Sequence, residues 1–136
     1  MPDAFVDTNI LLYAVSNHPA DKTKRQIARE ILLTGDIAIS FQILQEFYAN
    51  AVHSWTFAFS SREAAELCQT WMMFPVCALD FDLFLSTLRL AIRYQISNWD
   101  AAVLAAAIHL GCSTLFSEDF QQDAKYDSVR VINPFV

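Results

Sequence analysis

The sequence predicts one α/β domain with a central, mainly parallel sheet, and three observations carry that prediction. Short apolar runs recur at Ala4–Val6, Ile37–Ser40, 76–79 and 114–117. Apolar residues on consecutive rather than alternate positions suit strands covered on both faces, as in a parallel sheet between helices. The intervals between these runs hold capping residues and helix-spaced apolar positions, so strand and helix alternate. Finally, the 136 residues contain no repeat, low-complexity tract or Gly/Pro-rich linker, so residues 1–136 read as a single domain with room for a substantial core.

Taken in order, Ala4, Phe5 and Val6 form the first strand, which Asp7 closes. Thr8 and Asn9 can cap a helix opened by Ile10, Leu11, Leu12 and Tyr13, giving strand, tight turn and helix. Ligands of open α/β sheets sit at the carboxyl ends of strands, where Asp7 falls, although an Asp there can equally be a helix cap and nothing more. Pro19 breaks the first helix, Asp21 can cap the second, and Ile27, Ala28, Ile31 and Leu32 make its apolar stripe before Gly35 stops it. After the strand Ile37–Ser40, with Ser40 as a candidate cap, a third helix carries Ile43, Leu44, Phe47, Tyr48, Ala51 and Val52, with Glu46 in its early turns. The aromatic stretch Trp55, Thr56, Phe57, Ala58, Phe59 suits either core or a partner contact.

Ser60 and Ser61 can cap a helix that includes Glu63 and Glu66 and runs to about Met73, with Pro75 beyond it. A third strand at 76–79 is followed by Asp80 or Asp82 as cap of a helix with the apolar set Phe84, Leu85, Leu88, Ala91 and Ile92. Ser97 or Asn98 can cap an Ala-rich helix that Gly111 ends, and Asp100 lies in its first turn. A carboxylate near a helix N-terminus is favourable without further purpose, but Ala101, Ala102, Val103, Leu104 and Ala105 describe a helix buried on several sides, where a charge needs a partner. The run 114–117 is another buried strand with Glu118 and Asp119 directly after it, and Arg130, Val131 and Ile132 make the last, before Phe135 and Val136 pack on the domain.

Composition excludes several classes. Hydrophobic residues make up 54% of the chain and charged ones 18%, an apolar excess that points to a surplus at an interface. No apolar run approaches the roughly 20 residues of a membrane span, and Met1, Pro2 and Asp3 lack the basic start of a secretory signal, so a cytoplasmic protein is expected. Cys68, Cys77 and Cys112 are odd in number and unpaired in spacing, and His18, His53 and His109 are isolated, which fits neither a disulfide frame nor a zinc site. The net charge of −6 argues against coating nucleic acid by bulk charge. The one basic concentration is Lys22, Lys24, Arg25 and Arg29; part of it follows helical spacing and reads as an RNA-binding face or as a solvated helix surface.

Four carboxylates hold comparable places: Asp7 and Asp119 after strands, Glu46 and Asp100 near the starts of helices. A parallel sheet gathers them on one edge, where mutual repulsion raises their pKa values unless cations neutralise them. Hard Mg²⁺ or Mn²⁺ suits an all-oxygen set, and phosphodiester attack by metal-bound water is the chemistry such a set serves best.

The segments Phe5-Val6-Asp7-Thr8-Asn9, Gln45-Glu46-Phe47, Ser97-Asn98-Trp99-Asp100-Ala101 and Leu115-Phe116-Ser117-Glu118-Asp119 resemble, in order, the acidic motifs of the PIN domain, and the chain is most similar to its VapC-type toxins. The closing Val131-Ile132-Asn133-Pro134-Phe135 also resembles that group. The resemblance implies a three-layer α/β/α sandwich and an endoribonuclease in which Asp7, Glu46, Asp100 and Asp119 hold Mg²⁺ or Mn²⁺, with Thr8, Asn9 and Ser117 in support. It also implies a cognate antitoxin, a homodimer and, given the scarcity of basic residues, a narrow structured RNA such as tRNA or a ribosomal RNA loop. A receiver module lacks support, since neither a paired acidic motif early in the chain nor a lysine directly after a late strand is apparent. Haloacid-dehalogenase phosphatases need Asp-x-Asp where this chain has Asp7-Thr8-Asn9. A non-catalytic PIN-like scaffold and a housekeeping RNA-processing nuclease stand as alternatives.

Overall fold

The computed structural model describes residues 2–53 and 59–136. Among these residues six strands, β1 (Ala4–Val6), β2 (Ile37–Ser40), β3 (Val76–Cys77), β4 (Thr114–Phe116), β5 (Lys125–Tyr126) and β6 (Val129–Ile132), form one sheet in the order β3-β2-β1-β4-β6-β5. All neighbours are parallel except β5 and β6. Among the described residues, six α-helices connect or flank them: α1 (Thr8–Val15), α2 (Lys22–Leu33), α3 (Phe41–His53), α4 (Ser61–Trp71), α5 (Phe81–Tyr94) and α6 (Asn98–His109). Every residue of β2 is buried, and because successive side chains point to opposite faces, both faces of the sheet are covered there. The mainly parallel α/β architecture expected from the sequence is therefore the one observed.

The core is built from Phe5, Val6, Ile37, Ile39, Leu115, Val129 and Val131 of the strands, against Ile10, Leu11, Ala28, Ile43 and Phe47 of the helices. Helix α6 buries Ala101, Val103, Leu104, Ala105, Ala106 and Ala107, on nearly all sides; small side chains let it approach the sheet closely. The sheet runs outward from β1 in two directions, to β2 and β3 on one side and to β4 and β6 on the other, so β1 and β4 flank a switch point of the strand order. Crevices at such points, beyond the carboxyl ends of the strands, are where open α/β sheets bind ligands.

Several local expectations change. Asp7, not Thr8 or Asn9, is the N-cap of α1, its Oδ1 accepting from the Thr8 N–H at 2.8 Å, and Thr8 is already helical. Helix α4 ends at Trp71 and β3 spans only Val76–Cys77. In α5 the apolar set Phe84, Leu85, Leu88 and Ile92 does not form the core face; Leu83, Thr87 and Leu90 are buried instead, and Leu85 and Ile92 are 61% and 79% exposed. The helix is apolar around much of its circumference and lies on α6, so only one stripe can be covered. Strand β5 has no signal in the sequence: two residues give no periodicity, and they pair through a turn at Asp127, which adopts φ +51°. Phe135 packs edge-on against Tyr13 with ring centroids 5.0 Å apart, whereas Val136 is exposed. Residues 55–58 of the aromatic stretch lie outside the described residues.

Candidate active site

The site begins with backbone pairing. Strands β1 and β4 run in parallel register with Val6 opposite Phe116, and the Asp7 N–H continues the ladder by donating to the Phe116 carbonyl at 3.0 Å. The residues that follow the two strands, Asp7 and Ser117, are thereby brought side by side although 110 positions apart. Ser117 is fully buried, and its hydroxyl donates to Asp7 Oδ2 at 2.7 Å. The same Ser117 Oγ accepts from the Asp119 N–H at 3.1 Å and lies 3.5 Å from Asn9 Nδ2. Asn9 Nδ2 also donates to Asp119 Oδ2 at 3.2 Å.

Helix α3 delivers Glu46 to the other side of Asp7. Its Oε2 accepts from the Thr8 hydroxyl at 2.8 Å and its Oε1 from Gln42 Nε2 at 2.8 Å, so both oxygens are oriented. Asp100 arrives on the first turn of α6, whose N-cap Ser97 accepts from the Asp100 N–H at 3.1 Å. Gln42 Nε2 lies 3.4 Å from the Trp99 carbonyl, which joins the start of α3 to that of α6.

Electrostatics tie the carboxylates into one group. Asp7 is only 6% exposed, and burial pushes its carboxyl from the ordinary 3.8 up to about 6; the hydrogen bonds from Ser117 and Thr8 pull it down, while the charges of Asp119 and Glu46 push it up. The Asp100 carboxyl is also raised, chiefly by burial, with Asp119 and Glu46 adding and Ser97 opposing. Asp7 and Asp100 therefore both sense the charges of Glu46 and Asp119 across the switch point. Among the described residues, no three His, Cys, Asp or Glu side chains stand as a ready cage for an ion; the carboxylates are tied to hydroxyl and amide donors instead. The donor chemistry nonetheless fits a hard divalent cation, because every group is an oxygen, the charges of Asp119 and Glu46 push up both Asp7 and Asp100, and Asn9 Oδ1 is buried with no partner among the described residues.

Three of the four cations of α2 have other engagements. Arg25 Nη1 donates to the Ser16 carbonyl and Arg29 Nε to the Ala14 carbonyl, both at 2.8 Å, which secures α2 to the end of α1. Lys24 binds Glu118, and Lys22 is exposed. Two contributors were not singled out from sequence. Gln42 had a legible signal, its i, i+4 spacing to Glu46. Tyr13 had none, since its partner Glu118 lies 105 positions away.

A group of carboxylates at the switch point of a mainly parallel sheet defines the class as an α/β domain with a carboxylate site. The chain belongs to the PIN domain family, whose model matches residues 4–127. Among solved structures, a toxin–antitoxin complex from Klebsiella pneumoniae is similar, at 20% identity and TM-score 0.71, covering 96% of this chain and 97% of that one. Mycobacterium tuberculosis VapC20, described as a sarcin–ricin loop cleaving toxin, is similar at 19% identity and TM-score 0.70, covering 93% of this chain and 98% of that one. VapBC from Salmonella typhimurium bound to DNA is similar at 19% identity and TM-score 0.68, with 96% and 97% covered. At these identities the likeness is one of fold. Among curated proteins, none matches the chain by sequence.

Proposed function

We propose that the chain is a VapC-type toxin, an endoribonuclease that hydrolyses RNA phosphodiester bonds with the help of Mg²⁺ or Mn²⁺. The observation that carries this reading is the buried Asp7 carboxylate, raised to about 6, facing the charges of Asp119 and Glu46 at the β1/β4 switch point. Asp7, Glu46, Asp100 and Asp119 would hold the ion. When bound, the ion supplies an acidified water and positive charge for the phosphate. The chain's own residues do the positioning. Ser117 and the Thr8 N–H fix the two oxygens of Asp7, the Thr8 hydroxyl and Gln42 fix those of Glu46, and Asn9 holds Asp119.

The likeness to VapC20 and to a toxin–antitoxin complex supports a narrow structured RNA target and partnership with a cognate antitoxin, and the apolar excess of the composition favours a second copy of the chain as a further partner. The net charge of −6 favours recognition of a local shape over phosphate neutralisation along a strand. A non-catalytic PIN scaffold is the second reading, and the want of a ready ion cage among the described residues is the observation on its side. Incubation of total RNA with the purified chain and Mn²⁺, beside EDTA and Asp7→Asn controls, separates the two. Metal-dependent cuts at a few defined positions, lost in the variant, are expected. Scattered cuts would overturn the narrow target, and cuts that survive both controls would overturn the carboxylate mechanism.

A further inference from the structure

We infer that Glu118 is a positioning residue, latched by Tyr13 and Lys24 so that the turn after β4 presents Asp119 to the site; the inference rests on the reading of the site given above. Both oxygens of Glu118 are engaged by different donors: the Tyr13 hydroxyl donates to Oε1 at 2.6 Å and Lys24 Nζ to Oε2 at 3.2 Å. Lys24 Nζ also donates to the Tyr13 hydroxyl at 3.2 Å, closing a three-membered network. The ammonium stands 4.7 Å from the Tyr13 ring centroid and 5.5 Å from that of Phe135, and the two rings pack edge-on. Glu118 is thus turned toward α1 and α2, away from Asp7.

The direction matters because the chain bends over residues 118–120, directly after β4, and each side chain there is held by a different partner. Ser117 faces Asp7, Glu118 faces the latch, and Asp119 faces Asn9. The turn is held at each of these points, and the Asp119 N–H to Ser117 Oγ bond ties two of them together. An unlatched Glu118 would be a mobile carboxylate next to Asp119, free to repel it or to compete for the same cation. The latch also assigns Lys24 to the frame of the site, not to direct contact with RNA.

Manganese titration calorimetry on the full chain tests the latch, with Tyr13→Phe and Lys24→Met as variants. Tyr13→Phe keeps the ring against Phe135 and loses only the hydroxyl. Lys24→Met removes a cation near a cation site, so simple electrostatics predicts tighter Mn²⁺ binding, whereas loss of the latch predicts weaker binding. Each variant is expected to lose about tenfold in Mn²⁺ affinity, within the range for partners that orient metal ligands. Tyr94→Phe is the control: it removes a comparable hydroxyl–carboxylate contact to Asp127, a residue of the β5–β6 turn, and should leave the affinity unchanged. Unchanged affinity in Tyr13→Phe, or tightened binding in Lys24→Met, overturns the latch. Failure of the unaltered chain to bind Mn²⁺ at all would instead refute the reading of the site, and with it the purpose assigned to the latch.

Discussion

Asp7→Asn should stabilise the metal-free protein above pH 6 and not below pH 4. The Asp7 carboxyl rises from 3.8 to about 6 on folding, with burial as the main cause. Since the folded state holds this proton more tightly than the unfolded one, the group's contribution is fully present below about pH 4 and lost as pH rises through about 6. The loss amounts to about 3 kcal/mol for an acid raised this far. An uncharged amide escapes it but makes a poorer match to the two donors, Ser117 Oγ–H and Thr8 N–H, which returns about 1 kcal/mol. The net gain near pH 7.5 is therefore about 2 kcal/mol, or roughly 6 °C in melting temperature for a domain of this size. Thermal unfolding followed by circular dichroism in EDTA from pH 4 to 8 measures it. A difference between variant and parent that does not change with pH, or a variant less stable at pH 7.5, would refute the claim that Asp7 is a strained, buried carboxylate.

Other substitutions probe the surroundings. Ser117→Ala removes one donor from Asp7 and the acceptor of the Asp119 N–H, and should cost about 1–3 kcal/mol in chemical denaturation at pH 7.5. Ile92→Lys should change stability by less than about 0.5 kcal/mol because the side chain is 79% exposed, whereas a core position would cost several times more; urea melts decide between them. Gln95 caps α5 at φ +53°, a conformation in which glycine is unstrained, so Gln95→Gly should gain about 0.5–1 kcal/mol by the same assay.

The course of the chain was legible where local chemistry and global packing agree. Ala4–Val6 and Ile37–Ser40 read as doubly covered strands because apolar runs that short fit nothing else, and the caps Ser60, Asp80 and Ser97 marked helix starts where the structure has them. The buried face of helix α5 is not legible in the sequence because its apolar residues satisfy two overlapping stripes, and only the position of α6 decides which is buried. The four carboxylates were nameable from their places at strand ends and helix starts. What held them was not: the Ser117–Asp7, Thr8–Glu46 and Tyr13–Glu118 bonds cross 110, 38 and 105 positions, and no local pattern encodes a pairing made only when the sheet assembles.

The central claim is that Asp7, Glu46, Asp100 and Asp119 act as one metal-binding unit on RNA. Single-turnover cleavage rates with Mn²⁺ for Asp7→Asn, Glu46→Gln, Asp100→Asn, Asp119→Asn and the Asp7→Asn/Asp119→Asn pair test it most directly. Each single change should slow cleavage by about a hundredfold or more, with the pair hardly slower than either member, because groups that act together are lost together. A single variant that cuts at the parent rate would remove its residue from the unit, and losses that simply multiplied in the pair would contradict the claim that these carboxylates share one ion site.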